Sequence, residues 1–336
     1  GGAGFQPRIM RDRFANAKVS MSHIYIYSPS SAQRDKPAFR RGVARLAAMG
    51  HDVEIDADAL ATHMRFAGDD ATRVAAIHRA AASGADVAMT SRGGYGLTRI
   101  LPDIRYAALA KAVARGTRFI GFSDFTALQC ALYARTGAGS WIGPVVHDDF
   151  GRPDEVDDIM QACFEDLLCA QGEGAGWQLP KPPAPKKTDA TDALAQRPMR
   201  PIRNAVLWGG NLAVLSSLVG TPYLPQVDGG VLVLEDIAEH PYRIERMLTQ
   251  LLLAGVLHKQ KAIVLGQFTH YQLAPNDKGF KLQTVIDWLR SKIKAPVLTN
   301  LPMGHVATKV VLPFGLPVDL MVDGRDALIY WGGHHH

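Results

Sequence analysis

The feature that most constrains this chain is an alternation of short apolar runs of strand length with segments whose apolar residues recur at helical spacing. Ile24-Tyr25-Ile26-Tyr27 breaks at Ser28-Pro29-Ser30-Ser31 and is followed by Phe39, Val43, Leu46 and Ala47, one face of a helix. Residues 51–55 read as a second strand after the Gly50 stop, and Asp70 opens a helix that runs through Ile77. Residues 85–90 form a third strand, which leads into Ser91-Arg92-Gly93-Gly94-Tyr95-Gly96, and a further helix precedes the strand around Phe119. Such a chain buries its strands only in a parallel sheet covered by helices on both faces, so the fold class is α/β. In such sheets ligands bind at the carboxyl ends of the strands.

The second half repeats the alternation. Residues 205–211 form a strand ending in Gly209-Gly210-Asn211, followed by a helix over 212–219. Residues 230–234 form a buried-type strand closed by Glu235 and Asp236, and Pro241 suits the first turn of a helix whose apolar face is Ile244, Met247, Leu248, Leu251 and Leu252. Strands over 262–265 and 297–301, a helix over 282–293, and short strands over 310–313 and 319–322 follow. Between the halves, Pro180-Lys181-Pro182-Pro183-Ala184-Pro185-Lys186-Lys187, with Pro198 and Pro201, has too many prolines to be a packed element. The expected division is a leader over 1–21, an N-terminal α/β domain over 22–170, a Pro/Lys-rich linker over 171–203, a C-terminal domain over 204–331 and a tag-like tail over 332–336.

The 336 residues, 47% hydrophobic and 21% charged, suffice for two ordinary cores and exclude a fibrous composition. Of the formal charge of +5, three units come from the first twenty residues, which hold Arg8, Arg11, Arg13 and Lys18 against Asp12; the remainder gives no argument for nucleic acid. Cys130, Cys163 and Cys169 lie on helical stretches without metal-ligand spacing and read as buried thiols of a reducing compartment. No run is long and apolar enough for a bilayer span, so no membrane is expected, and the lack of metal-ligand spacing leaves no metal expected.

The chemistry is placed at Gly121-Phe122-Ser123-Asp124-Phe125-Thr126, where an apolar strand ends in a serine and a helical segment begins at once. A serine there is either an N-cap or a nucleophile beside the free N–H groups of a helix start. The Gly93-Gly94 pair lies at another strand end and is either a tight turn or the donor of one oxyanion hydrogen bond, with the Asp124 N–H as the second. Glu235 is the last residue of its strand and is either functional or a helix-end anion. His305 sits in a glycine-bearing loop after a strand. Together Ser123, His305 and Glu235 supply nucleophile, base and orienting acid, a set recognised by role because its order differs between folds. His147 and His240 remain as candidate substrate contacts.

The combination Arg92-Gly93-Gly94-Tyr95-Gly96, Gly121 to Thr126, Trp208-Gly209-Gly210-Asn211-Leu212, Leu234-Glu235-Asp236 with residues 242–248, and Gly304-His305 before Leu312-Pro313-Phe314-Gly315 resembles the LD-carboxypeptidases. These are muramoyltetrapeptide carboxypeptidases, serine peptidases among which the microcin C immunity peptidases also belong. The resemblance implies a Rossmann-like N-terminal domain and a smaller C-terminal α/β domain, a cytoplasmic homodimer, and no cofactor. It makes Ser123 the nucleophile, Glu235 the acid, His305 the base, and Asp124 with Gly93 or Gly94 the oxyanion hole. The implied reaction releases D-alanine from murein tetrapeptide in peptidoglycan recycling. Arg92, Trp208, Asn211, His240 and Arg243 are the candidate substrate-binding residues. Two alternatives stay open: an immunity peptidase acting on an aminoacyl nucleotide, and a non-catalytic murein-peptide-binding protein in which Ser123 only caps its helix.

Overall fold

The computed structural model describes residues 21–181 and 199–332. The first half runs β1 (His23–Tyr27), α1 (Lys36–Ala48), β2 (Asp52–Ile55), α2 (Asp70–Ala82), β3 (Val87–Thr90), α3 (Leu97–Ile100), α4 (Tyr106–Ala114), β4 (Arg118–Gly121), α5 (Thr126–Thr136), β5 (Ser140–Ile142) and α6 (Asp158–Leu168). The second runs β6 (Gly174–Gln178), β7 (Ile202–Asn211), α7 (Leu212–Ser217), β8 (Val231–Ile237), α8 (Pro241–Leu253), β9 (Ala262–Thr269), α9 (Leu282–Lys292), β10 (Val297–Leu298), β11 (Leu312–Phe314), β12 (Pro317–Asp323) and β13 (Asp326–Tyr330).

The first sheet has six strands in the order β11-β5-β4-β3-β1-β2, with β1 to β5 parallel. Side chains alternate across it, as the pleat requires. Ile24, Ile26, Val87, Met89 and Ile120 pack against Phe39 of α1 and Met160 and Phe164 of α6. Tyr25, Tyr27, Ala88 and Phe119 face the opposite way, into a core that runs without a break through Leu128 and Leu132 of α5 to Trp208, Leu212, Val231 and Leu248 of the second half. The halves therefore share an apolar core.

The second sheet has seven strands in the order β10-β9-β8-β7-β12-β13-β6, parallel from β10 to β7 and antiparallel beyond. Two departures from the expected division follow. The stretch 171–203 is not all connector: Gly174–Gln178 pairs with β13 at the sheet edge, where its alternating burial puts Ala175 and Trp177 inward. The stretch 204–331 is not one separate body either, because Leu312–Phe314 returns to the first sheet and pairs antiparallel with β5 before β12 rejoins the second. The Pro182–Lys187 segment, Pro198, the leader up to Ser20 and the terminal histidines lie outside the described residues.

Candidate active site

At the β4–α5 corner, Ser123 has φ 62°, a left-handed conformation that costs a non-glycine residue energy and turns the side chain out of the helix start. It caps nothing: Phe122 and Phe125 hold the N-cap positions of the short turn over 123–125 and of α5, neither with a side-chain cap bond. The hydroxyl instead lies 3.1 Å from Nε2 of His305.

The corner is held from below by its neighbours. The Asp124 carboxylate accepts from the Ser30 hydroxyl at 2.7 Å and from the Leu97 N–H at 2.9 Å, and its burial pushes its pKa up. Ser30 follows β1 and Leu97 opens α3, so one carboxylate ties together the loops after three strands. Gly93 packs against the serine: a methyl group there would meet Ser123 Cβ at 2.9 Å and Oγ at 3.0 Å, and would lie 3.6 Å from the Asp124 nitrogen. Only a residue without Cβ lets the backbone after β3 come this close. Gly94, with φ 108°, abuts Ser31 instead.

Glu235 and His305 come from the second sheet. β8 continues through Ile237, so Glu235 is not its last residue, and the pairing with β9 shifts register between Leu234 and Asp236. Such an irregularity lets adjacent side chains serve one side of a strand. Asn211 Nδ2 accordingly donates to both Glu235 Oε1 (3.2 Å) and Asp236 Oδ1 (3.0 Å). The two acids then divide. Asp236 anchors the start of α7, accepting from the Ala213 N–H at 2.9 Å. Glu235, 1% exposed, places Oε2 2.8 Å from His305 Nδ1. A carboxylate only accepts, so the imidazole proton sits on Nδ1, and Nε2 is left to accept from the Ser123 hydroxyl. Gly304, at φ 125°, lets the histidine loop pass over the acid; a Cβ there would meet Glu235 Oε2 at 2.9 Å. Burial, and then the charge of Glu235, raises the pKa of Asp236 to about 6.

The remaining candidates separate. Trp208 is not at the site: it is fully buried on a central strand, and its indole N–H donates to Gln260 at 2.9 Å. Asn211 is buried, its side-chain oxygen accepts from the Val214 N–H to cap α7, and its amide donates to the two acids. His240 caps α8, with Nδ1 accepting from the Tyr242 N–H and Nε2 2.9 Å from Asp277. Arg243 is exposed and engages Tyr242 and Glu239. Arg92 precedes Gly93, is half-buried, and donates through Nη1 to the Ala32 carbonyl, while its buried Nε has no partner among the described residues. His147 pairs with Asp148 at 2.8 Å. Burial opposes ionisation of Asp148, yet the bond to His147 leaves its pKa below the ordinary value. A cavity of about 330 Å³ lined by Arg118, Trp141, Cys163 and Trp331 lies at the opposite end of β4 from Ser123.

The sequence reading missed a layer behind the histidine. The Phe122 ring meets His305 edge to face at 4.9 Å between centroids, and the Lys309 ammonium lies 3.9 Å from the centre of the same ring. Lys309 is itself buried and paired with buried Asp149 at 2.6 Å. No local signal marks Lys309, which stands among valines just before β11.

Residues 24–143 match the family description LD-carboxypeptidase N-terminal domain, and residues 204–320 match LD-carboxypeptidase C-terminal domain. The chain is 27% identical to a probable murein peptide carboxypeptidase of Bacillus subtilis, over 80% of each chain. It is likewise 27% identical to the microcin C7 self-immunity protein MccF of Escherichia coli, over 72% of each. The solved muramoyltetrapeptide carboxypeptidase of Oxalobacter formigenes superposes with a TM-score of 0.79 at 35% identity, covering 92% of this chain and 98% of that one. This mixed α/β chain therefore belongs to the LD-carboxypeptidase family and is a hydrolase of the serine carboxypeptidase type.

Proposed function

We propose that the protein releases the terminal D-alanine of murein tetrapeptide, cleaving the bond to the L-centre of meso-diaminopimelate as a step of peptidoglycan recycling. The observation that carries this reading is the unbroken chain from Ser123 Oγ through the His305 ring to Glu235, with separations of 3.1 and 2.8 Å. The names of the Bacillus and Oxalobacter proteins support the substrate class.

In the mechanism, Ser123 Oγ attacks the scissile carbonyl carbon while its proton passes to His305 Nε2. The negative charge of Glu235 stabilises the imidazolium through Nδ1. The Asp124 N–H and an N–H of the Gly93-Gly94 pair hold the oxyanion. His305 then gives the proton to the departing D-alanine nitrogen, which leaves an acyl ester on Ser123. Water attacks that ester, its proton goes to His305, and the tetrahedral intermediate collapses to the free diaminopimelate carboxylate, with the proton returned to Ser123. Arg92, half-buried beside Gly93, is the proposed partner of the substrate's terminal carboxylate.

The test is incubation with murein tetrapeptide and, separately, with an aminoacyl sulfamoyl nucleotide, following free D-alanine and free amino acid. D-alanine release that disappears in Ser123→Ala supports the proposal. Cleavage of the nucleotide alone would move the protein to the immunity-peptidase reading, which the similarity to MccF motivates. Tight tetrapeptide binding without turnover would leave it a binding protein.

A further inference from the structure

We infer that the buried ion pair Lys309–Asp149, acting through Phe122, is a positioning clamp that holds His305 in register with Ser123. The inference rests on the proposed roles of those two residues and adds three to them. His305 reaches the serine from a loop between β10 and β11 that contains no helix or strand, so its placement depends on what the loop grips. Four residues past the histidine, Lys309 passes into the first half and pairs with Asp149 at 2.6 Å. Asp149 uses both carboxylate oxygens, Oδ1 for the ammonium and Oδ2 for the Val145 N–H at 2.8 Å, so the anchor point cannot swing. Thr308 adds a parallel link, its hydroxyl donating to Asp157 at 2.6 Å.

The ammonium also sits 3.9 Å from the Phe122 ring centre, a cation–π contact in a site with almost no solvent. That ring is the wall against which the His305 imidazole stands at 4.9 Å. Phe122 immediately precedes Ser123, so one side chain references the base to the backbone of the nucleophile.

Burying a lysine and an aspartate costs desolvation that their attraction barely offsets, and apolar replacements of such pairs are often neutral or stabilising. A buried pair is therefore weak as a source of stability and better suited to fixing geometry. The groups facing the pair are consistent with this: Asp148 beside Asp149 is taken by His147, and Lys309 has Asp149 as its carboxylate partner.

The test uses the full chain and murein tetrapeptide. In the double variant Lys309→Met/Asp149→Asn both charges are removed, and the new amide oxygen can still accept from Val145. The clamp predicts a melting temperature close to wild type with kcat reduced about 10²-fold and KM nearly unchanged, the size expected when a catalytic group is misplaced by about 1 Å. Phe122→Leu, which keeps an apolar filler but removes the ring, is expected to show the same split, and it decides the matter if the double variant does not fold. Wild-type kcat in either folded variant would overturn the clamp, as would a kcat loss that only tracks the folded fraction. Ser123→Ala is the control. Its retention of turnover would overturn the reading of the site and the clamp with it, whereas its inactivity beside a fully active double variant would overturn the clamp alone.

Discussion

Two strand-to-helix corners meet at this site, β4 into α5 and β7 into α7, and they use their polar residue in opposite ways. Asn211 has an ordinary extended φ of −68°, and its side chain caps α7. Ser123 has φ 62° and leaves its helix uncapped. The corners touch, since the Asn211 N–H donates to Thr126 Oγ1 at 3.0 Å on the first turn of α5. The difference teaches that a polar side chain committed to its own helix contributes stability, whereas one held out by backbone strain is free for a group on another element. The strained corner presents its hydroxyl to the histidine, while the capped corner both stabilises α7 and holds the two acids.

The sharpest way to break this contrast is Ser123→Ala. It is expected to lower turnover about 10⁴-fold while leaving the melting temperature unchanged, because the hydroxyl supports no helix; a fall in stability measured by thermal unfolding would show that Ser123 is a cap after all. Glu235→Gln should cost turnover on a similar scale, read as kcat at fixed pH, since the neutral amide no longer stabilises the imidazolium. Asn211→Ala should lose both properties together: about 1 kcal/mol for the cap, and reduced kcat because Glu235 loses its amide donor. Urea unfolding and steady-state kinetics on one preparation check that coupling.

Asp236 sharpens the comparison by pH. Its folded-state pKa, about 6, lies above the ordinary 3.8, so the native state favours the protonated form. Its stabilising contribution is complete below the ordinary value and is lost as pH rises through about 6. Relative to Asp236→Asn, the wild type should therefore lose on the order of 3 kcal/mol between about pH 4 and about pH 7, measured by urea unfolding across that range. A gain in stability is expected as well: Ser123→Gly should raise it by about 1 kcal/mol as the left-handed strain is relieved, with turnover lost as in Ser123→Ala.

Much of the frame was legible because parallel strands buried on both faces write continuous apolar runs, as in residues 231–234 and 262–265. The strands that escaped were the short or glycine-rich ones. Gly174–Gln178 carries two glycines at a sheet edge, and Asp326–Tyr330 follows a tight turn. At the site, a serine at a strand-to-helix junction is a local pattern and could be read, but its positive φ could not, since the surrounding packing sets that angle. The expectation for Trp208 went astray because Trp-Gly-Gly-Asn reads as one motif, while the strand pleat sends the indole into the core and only Asn211 reaches the acids. The division of labour between Glu235 and Asp236 depends on a register shift against β9, which no pair of adjacent acids reveals. Lys309 needed a partner 160 positions earlier in the chain.

The return of Leu312–Phe314 to the first sheet has a mechanical consequence. The backbone crosses between the sheets on the way to β6, back again after the His305 loop, and once more into β12. A body joined by a single tether opens like a book, but one sewn through at separate points can only flex about the line that joins the stitches. His305 and Lys309 lie just before one such stitch. Any opening between the two sheets is therefore damped beside the His305 loop.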